Sequence, residues 1–346
     1  MTNLETYLDK FTEADWLAAL EELLPEIHEV DRNAVQIWFR FFPLEMQRYA
    51  AASEDREELI RGLALQGEFE LKDQIDTSHH FLYGHRHWKV VKAAIEAEAV
   101  VFTGQTPTLV EEIKAIGMLV AEKLSIERQM INAMVAIGLA TLNQVGLEAF
   151  KAAAGYGAKP TGIMTKSPNA VIAARAKDDS QGVFGFLKTI NKKFSVAYSN
   201  QKLNGKFDII NEQEIAGASA NNEPGKWQDQ DIRCWEGVVP VECLSASCGT
   251  CWVGVLGGQE KLSEVSRRER RAMKVFGYNQ PDDEKPFLRL ACQAKATGNA
   301  TIVIPPWNGV FGKKVRKNVE DLELEPNTTS AKALREAVAP AISSEK

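Results

Sequence analysis

Over the first 157 residues the apolar side chains recur every three to four positions, the spacing of one face of an α-helix. Trp16, Leu17, Leu20, Leu23 and Leu24 form one such stripe. Thr12 stands before it with Asp15 three places on, as in a capping box, where two side chains satisfy orphan backbone N–H groups reciprocally. Thr108 and Glu111 repeat that arrangement ahead of Ile113, Ile116, Leu119 and Val120. A long amphipathic run extends from Ile126 to about Ala154 and stops at Gly155. No strand-like alternation of useful length intervenes. Residues 1–157 are therefore expected to form an all-α domain of about five to seven helices.

The helical period is lost after residue 157. Lys159-Pro160-Thr161-Gly162 and Lys177-Asp178-Asp179-Ser180-Gln181-Gly182 read as loop. Residues 158–190 are thus expected to be a linker with one short helix near Ala170 to Ala176. From Lys193 the period becomes two, with Phe194, Val196 and Tyr198 alternating with other residues. Asn204-Gly205 then separates this run from Phe207 and Ile209, and Asn-Gly between two such runs predicts a hairpin turn. Ser266 and Glu269 predict the start of a helix that ends near Gly277. Thr301 to Ile304 reads as a closing strand stopped by Pro305-Pro306. The second domain is expected to span residues 191–309. A polar tail over 310–346 opens with Lys313, Lys314, Arg316 and Lys317 and holds a short helix around Ala331 to Ala339. There is no internal repeat.

Charge divides the chain in the same place. Its net charge is −6. Residues 1–157 hold 25 acidic and 14 basic side chains, a balance of −11, which leaves +5 for the rest. Such asymmetry points to two separately built parts. The basic excess is small and scattered, so nucleic-acid binding is not expected. No apolar stretch is long enough to predict a transmembrane segment. The amino terminus has no basic start followed by an apolar run, which makes the cytoplasm the expected location.

In a reducing compartment five cysteines do not suggest a disulfide framework. Four of them stand as Cys243-x4-Cys248-x2-Cys251 with a distant Cys292, the spacing of plant-type [2Fe–2S] proteins. In such a centre two irons share two sulfides, and each needs two thiolates to complete a tetrahedron. One tight loop supplies three ligands and a remote strand end supplies the fourth. Ser245, Ala246, Ser247, Gly249 and Thr250 are small, which lets backbone N–H groups approach the sulfurs. A structural Zn(Cys)4 site is the alternative, although such sites usually carry two Cys-x2-Cys pairs and this chain has one. The fifth cysteine, Cys234, is expected to be a small buried residue, with redox sensing as its other reading.

Glu-Cys-Leu-Ser-Ala-Ser-Cys-Gly-Thr-Cys, followed far downstream by Arg-Leu-Ala-Cys-Gln, resembles the bacterial branch of the plant-type [2Fe–2S] ferredoxin family. Val-Gly-Val and the Lys-Leu-Ser-Glu before the Arg-rich helix fit the same pattern. The resemblance covers roughly Lys193 to Trp307. It implies a β-grasp fold of α+β class and Cys243, Cys248, Cys251 and Cys292 as cluster ligands. There are two departures. Forty residues separate Cys251 from Cys292, more than in shorter members, with the excess expected in a loop from Tyr278 to Lys285. The acidic surface of photosynthetic ferredoxins is also missing.

His79, His80, His85 and His87 fall within nine positions beside aromatic residues. Imidazoles bind haem iron, non-haem iron and zinc, so this segment is a second candidate metal site. Loop histidines that cap helices or line an interface are the alternative. His28 reads as a helix-face residue. Arg267, Arg268, Arg270, Arg271 and Lys274 form a basic helix, either a solvated face or a docking surface for an acidic partner. Gly254 to Gly258 lacks the following helix that a dinucleotide site requires, and there is no phosphate loop or nucleophile triad.

The expected molecule is thus multidomain, an all-α N-terminal domain plus an α+β ferredoxin-type domain. Its expected role is that of a one-electron carrier rather than an enzyme. It would relay electrons between donor and acceptor oxidoreductases, as an accessory subunit of a hydrogenase or another respiratory enzyme, with the helical domain docking it. The alternatives are a redox enzyme with a second metal or haem on the histidines, and a homo-oligomer built through the helices.

Overall fold

Reciprocal caps open the first two helices. Thr2 accepts from the Glu5 N–H ahead of α1 (Asn3–Leu8), and Thr12 accepts from the Asp15 N–H ahead of α2 (Glu13–Leu23). The computed structural model describes residues 1–104, 108–157, 159–176, 192–221, 225–278 and 284–316. The helices continue with α3 (Glu29–Phe41), α4 (Leu44–Ala51) and α5 (Arg56–Gly62), and then a short strand, β1 (Gln66–Gly67). After it come α6 (Trp88–Val101), α7 (Leu109–Leu124), α8 (Asn132–Val145), α9 (Leu147–Ala152) and α10 (Pro168–Arg175). Described residues within 1–157 therefore hold nine α-helices, more than the sequence suggests. One added helix comes from the run Ile126 to Ala154, which is not continuous. Gly146, at φ 78°, turns the chain between α8 and α9, a conformation that glycine adopts freely.

The chain divides into two units, Met1–Glu54 with Glu70–Ala174, and Asp55–Phe69 with Arg175–Lys346. In the first, α8 is the axis. Every residue from Asn132 to Leu142 is buried, as expected of a helix surrounded by others, and α1, α3, α4, α6, α7 and α9 all touch it. The stretch read as a linker is built into this unit as far as Ala174. Val171 of α10 is buried with Val30 and Tyr83, the Tyr83 hydroxyl donates to the Lys166 carbonyl, and Arg86 donates to that of Met164. The rest of that stretch, 177–190, lies outside the described residues.

The second unit holds β2 (Lys193–Ser199), β3 (Asn204–Ile210), β4 (Gln213–Glu214), α11 (Ile215–Ala220), β5 (Trp252–Gly257) and α12 (Arg267–Phe276), followed by β6 (Leu288–Leu290), β7 (Lys295–Ala296), β8 (Ala300–Val303), β9 (Trp307–Asn308) and α13 (Gly312–Val315). Five strands make a mixed sheet in the order β3-β2-β8-β5-β6, with β2 and β8 parallel and the other neighbours antiparallel. With the helices this is an α+β arrangement. Phe194, Val196, Phe207, Ile209, Val253, Val255 and Ile302 are buried within the unit.

The predicted hairpin forms, but not around Asn204-Gly205. Those residues pair with Ser199 and Tyr198 inside the ladder. The turn is made by Asn200, whose side-chain oxygen accepts the N–H groups of Lys202 and Leu203. Gly205 is needed for another reason, since a Cβ there would lie 2.5 Å from the Tyr198 hydroxyl oxygen.

Residues 55–69, read from sequence as part of the helical domain, pack with the second unit. β1 pairs antiparallel with β9, the Glu68 N–H donates to the Pro306 carbonyl, and Val310 donates to Leu63 at 2.6 Å. Leu59, Leu63, Leu65 and Phe69 are buried. The expected tail likewise starts late. α13 packs on α12, and Phe311 is buried against Trp307 and Tyr278. The helix expected around Ala331 to Ala339 lies outside the described residues.

Candidate metal centre

Three of the four spaced cysteines lie in one loop that runs into β5. Leu244 (φ 55°), Ala246 (φ 57°) and Gly249 (φ 73°) are left-handed. Two of these are not glycine, and such strain survives only where the surroundings over-determine it. Left-handed residues at alternate positions turn successive N–H groups inward and make an anion-binding concavity.

The sulfurs take those donors. Cys243 accepts the N–H groups of Ser245 at 3.4 Å and Ser247 at 3.3 Å. The Thr250 N–H donates to Cys248, that of Ala246 to Cys292, and that of Cys292 to Cys251. Gln293 adds a side-chain donor 3.5 Å from the Cys292 sulfur. Each of the four sulfurs thus faces at least one backbone N–H.

Topology explains how a cysteine 40 residues away joins them. β5 starts just after Cys251 and β6 ends just before Cys292. The two strands pair antiparallel with Trp252 opposite Leu290, and the Ala291 N–H donates to the Cys251 carbonyl at 2.9 Å. Cys251 and Cys292 therefore meet at one end of this ladder. A buried ion pair holds the incoming strand. Arg289 grips Glu269 of α12 with Nε–Oε1 at 2.9 Å and Nη2–Oε2 at 3.0 Å. Glu269 also accepts the Leu290 N–H at 2.9 Å. Ser266 caps α12 as expected, and Gly277, at φ 90°, ends it.

The thiols stand as two hydrogen-bonded pairs, Cys243 with Cys248 and Cys251 with Cys292. The bond from Cys248 is the main reason that the Cys243 thiol is held down at about 5, and the same bond, with burial, pushes Cys248 up. Cys292 is lowered and Cys251 raised in the same way. No group of three or more His, Cys, Asp or Glu side chains among the described residues stands ready to hold a metal ion. A single zinc ion would need all four sulfurs around one point. Two irons would each need two thiolates, and the pairs fit that demand.

The fifth cysteine is placed differently. Burial pushes the Cys234 thiol up to about 12, and its sulfur donates to the Val238 carbonyl at 3.1 Å. A thiol so protonated is inert.

The histidine segment brings two of its four rings together. His79 and His85 are buried and share an Nδ1–Nδ1 hydrogen bond of 2.8 Å. His80 bonds through Nδ1 to the Thr77 carbonyl, and His87 precedes α6 as a half-buried residue. The His79 Nε2 is buried without a partner, and its ring packs 4.3 Å from that of Trp88. Burial is the main reason that His79 lies well below the usual imidazole range and His85 at about 4. Both rings are therefore neutral at pH 7.

A pH dependence follows. The unfolded chain binds a proton on each ring below about pH 6.5, and the folded chain resists doing so. Stability is thus fully present above that value and falls as the pH drops from 6.5 through 4. His85 alone loses about 3 kcal/mol by pH 4. Urea titrations between pH 7.5 and 4.5 should show a steep loss in the wild-type chain and a shallower one in His85→Leu. Equal slopes would refute this reading of the pair.

No family model and no solved structure matches the chain. No helix among the described residues is long and apolar enough to cross a membrane.

Proposed function

We propose that the chain is a one-electron carrier whose Cys243, Cys248, Cys251 and Cys292 hold a [2Fe–2S] cluster in a ferredoxin-type β-grasp domain. The observation that carries this reading is the set of four sulfurs, grouped two and two, each met by a backbone N–H. The mixed sheet, with β2 and β8 as its parallel pair, supports the fold assignment.

When bound, the cluster supplies a centre that accepts and returns a single electron. The chain's own groups set the terms. N–H donors on the sulfurs favour the more negative state, and buried Cys243, Cys251 and Cys292 keep water away from three of the four ligands. Leu244 is 54% exposed at the outside of the loop, and marks the side where a donor or acceptor oxidoreductase approaches. The helical unit is the docking element in this scheme, and the cytoplasm is the proposed location. The histidine-bound second centre receives no comparable support, because only His79 and His85 of its four rings come together.

The test is the metal content of the chain purified without oxygen. Iron with acid-labile sulfide upholds the proposal, and zinc alone ends it.

A further inference from the structure

Tyr278 lies directly behind the cysteine loop. Sequence places it at the start of an excess loop, but its side chain is fully buried. The reason is the left-handed Gly277 at the end of α12. It turns the chain so that the N–H groups of both Gly277 and Tyr278 return to the Met273 carbonyl at 3.1 Å. The Tyr278 ring then falls on the indole of Trp252, stacked at 3.8 Å between centroids and 16° between planes. Trp252 follows Cys251 directly.

The hydroxyl sits between two carbonyl oxygens, Gly249 at 3.0 Å and Gly309 at 3.3 Å. Gly249 follows Cys248, and its carbonyl belongs to the same peptide unit as the Thr250 N–H. In a trans peptide the two point opposite ways. Tyr278 pulls the carbonyl back from the sulfurs, while the N–H of that unit donates to the Cys248 sulfur. A hydrogen bond received at the carbonyl also polarises the amide and strengthens its N–H as a donor. Gly249 has little room to shift, since a Cβ there would lie 3.1 Å from the Phe276 ring.

We propose that Tyr278 is a positioning residue of the cysteine loop. Its hydroxyl fixes the Gly249–Thr250 peptide and so holds the Thr250 N–H on the Cys248 sulfur. The effect on electron uptake rests on the cluster reading above; the clamp on the peptide does not. A weaker donor on the sulfur disfavours the reduced state, so loss of the hydroxyl moves the reduction potential negative.

The experiment uses the full chain, without metal and after reconstitution with iron and sulfide. In Tyr278→Phe the ring stays and the hydroxyl goes. The equilibrium constant for reduction should fall about three- to tenfold, each tenfold step being about 59 mV for one electron. In the metal-free chain the Thr250 amide should exchange with solvent faster than in wild type. A 3-fluorotyrosine at position 278, a more acidic phenol and stronger donor, should shift the potential the other way. That chain decides the matter if the Phe variant does not fold. An unchanged potential in the fluorinated chain, or unchanged Thr250 exchange in Tyr278→Phe, overturns the clamp. A wild-type chain that takes up no iron and sulfide instead overturns the cluster reading, and the amide exchange still reads the clamp.

Discussion

Replacing Cys292 with serine is expected to leave the chain folded and unable to hold the proposed [2Fe–2S] cluster. A serine hydroxyl holds its proton far more tightly than a thiol does, and the thiolate is the metal-binding form. Cys292 is held low by its bond from Cys251 and by donors from Gln293 and the Ala246 N–H. It also supplies the N–H that reaches Cys251. Serine keeps that backbone donor and removes only the sulfur, so the loss is one of ligation. Affinity for iron should drop by at least the ~10–100-fold that removal of a mere supporting group costs a metal site, and the iron content of the purified chain should fall with it. Iron and sulfide assays and visible absorbance read the result, with far-ultraviolet circular dichroism as the folding control. Cys234→Ser is the matched comparison. Its thiol bonds to Val238 away from the pairs, and that variant should keep full iron. Equal iron in Cys292→Ser and wild type would contradict the assigned ligand set.

The second large effect belongs to the Arg289–Glu269 pair. Glu269 is wholly buried, and Arg289 is 3% exposed. Both ends of the guanidinium are engaged, and Nη1 donates to the Ser263 carbonyl at 2.9 Å. Breaking such a pair from one side strands the other charge without water, at a cost of about 3–5 kcal/mol. Arg289→Met should therefore lower the urea midpoint of the metal-free chain markedly. The double change Arg289→Met with Glu269→Leu should recover much of the loss, since a buried pair replaced by apolar groups is often tolerated. A single variant within about 1 kcal/mol of wild type would show that water reaches the pair. Because Arg289 lies in β6, three residues before Cys292, the single variant should also shed iron faster than wild type.

Local signals were the legible part of the fold. Thr12 with Asp15, Thr108 with Glu111 and Ser266 with Glu269 each cap the helix that the sequence suggests, because a cap acts within one turn. The alternation around Phe194 to Tyr198 and the apolar run at Thr301 to Ile304 both become strands in the mixed sheet. Spacing singles out the cysteine loop and Cys292, and the β5–β6 ladder brings Cys292 beside Cys251. What spacing could not supply was the division into pairs, which comes from the β5–β6 ladder.

The misreadings have a common source in long-range packing. Asn204-Gly205 carries the chemistry of a tight turn, but the Tyr198 ring needs the bare Cα of Gly205, and Asn200 takes over the turn. Leu59 and Leu63 keep a helical period, and periodicity does not say which unit a helix packs with. Val171 sits in a stretch whose composition reads as linker, yet one buried valine and two backbone carbonyls tie it down. Tyr278 opens a polar stretch that reads as loop. Only the αL turn at Gly277 and the stacking on Trp252 decide its burial.

The measurement that bears most directly on the whole account is the stoichiometry of iron, acid-labile sulfide and zinc in the full chain isolated under strict anaerobiosis. The account predicts two irons and two sulfides per chain, lost together when any one of the four cysteines is changed. One zinc per chain with no sulfide, or a chain that binds neither metal with its thiols free, would contradict it.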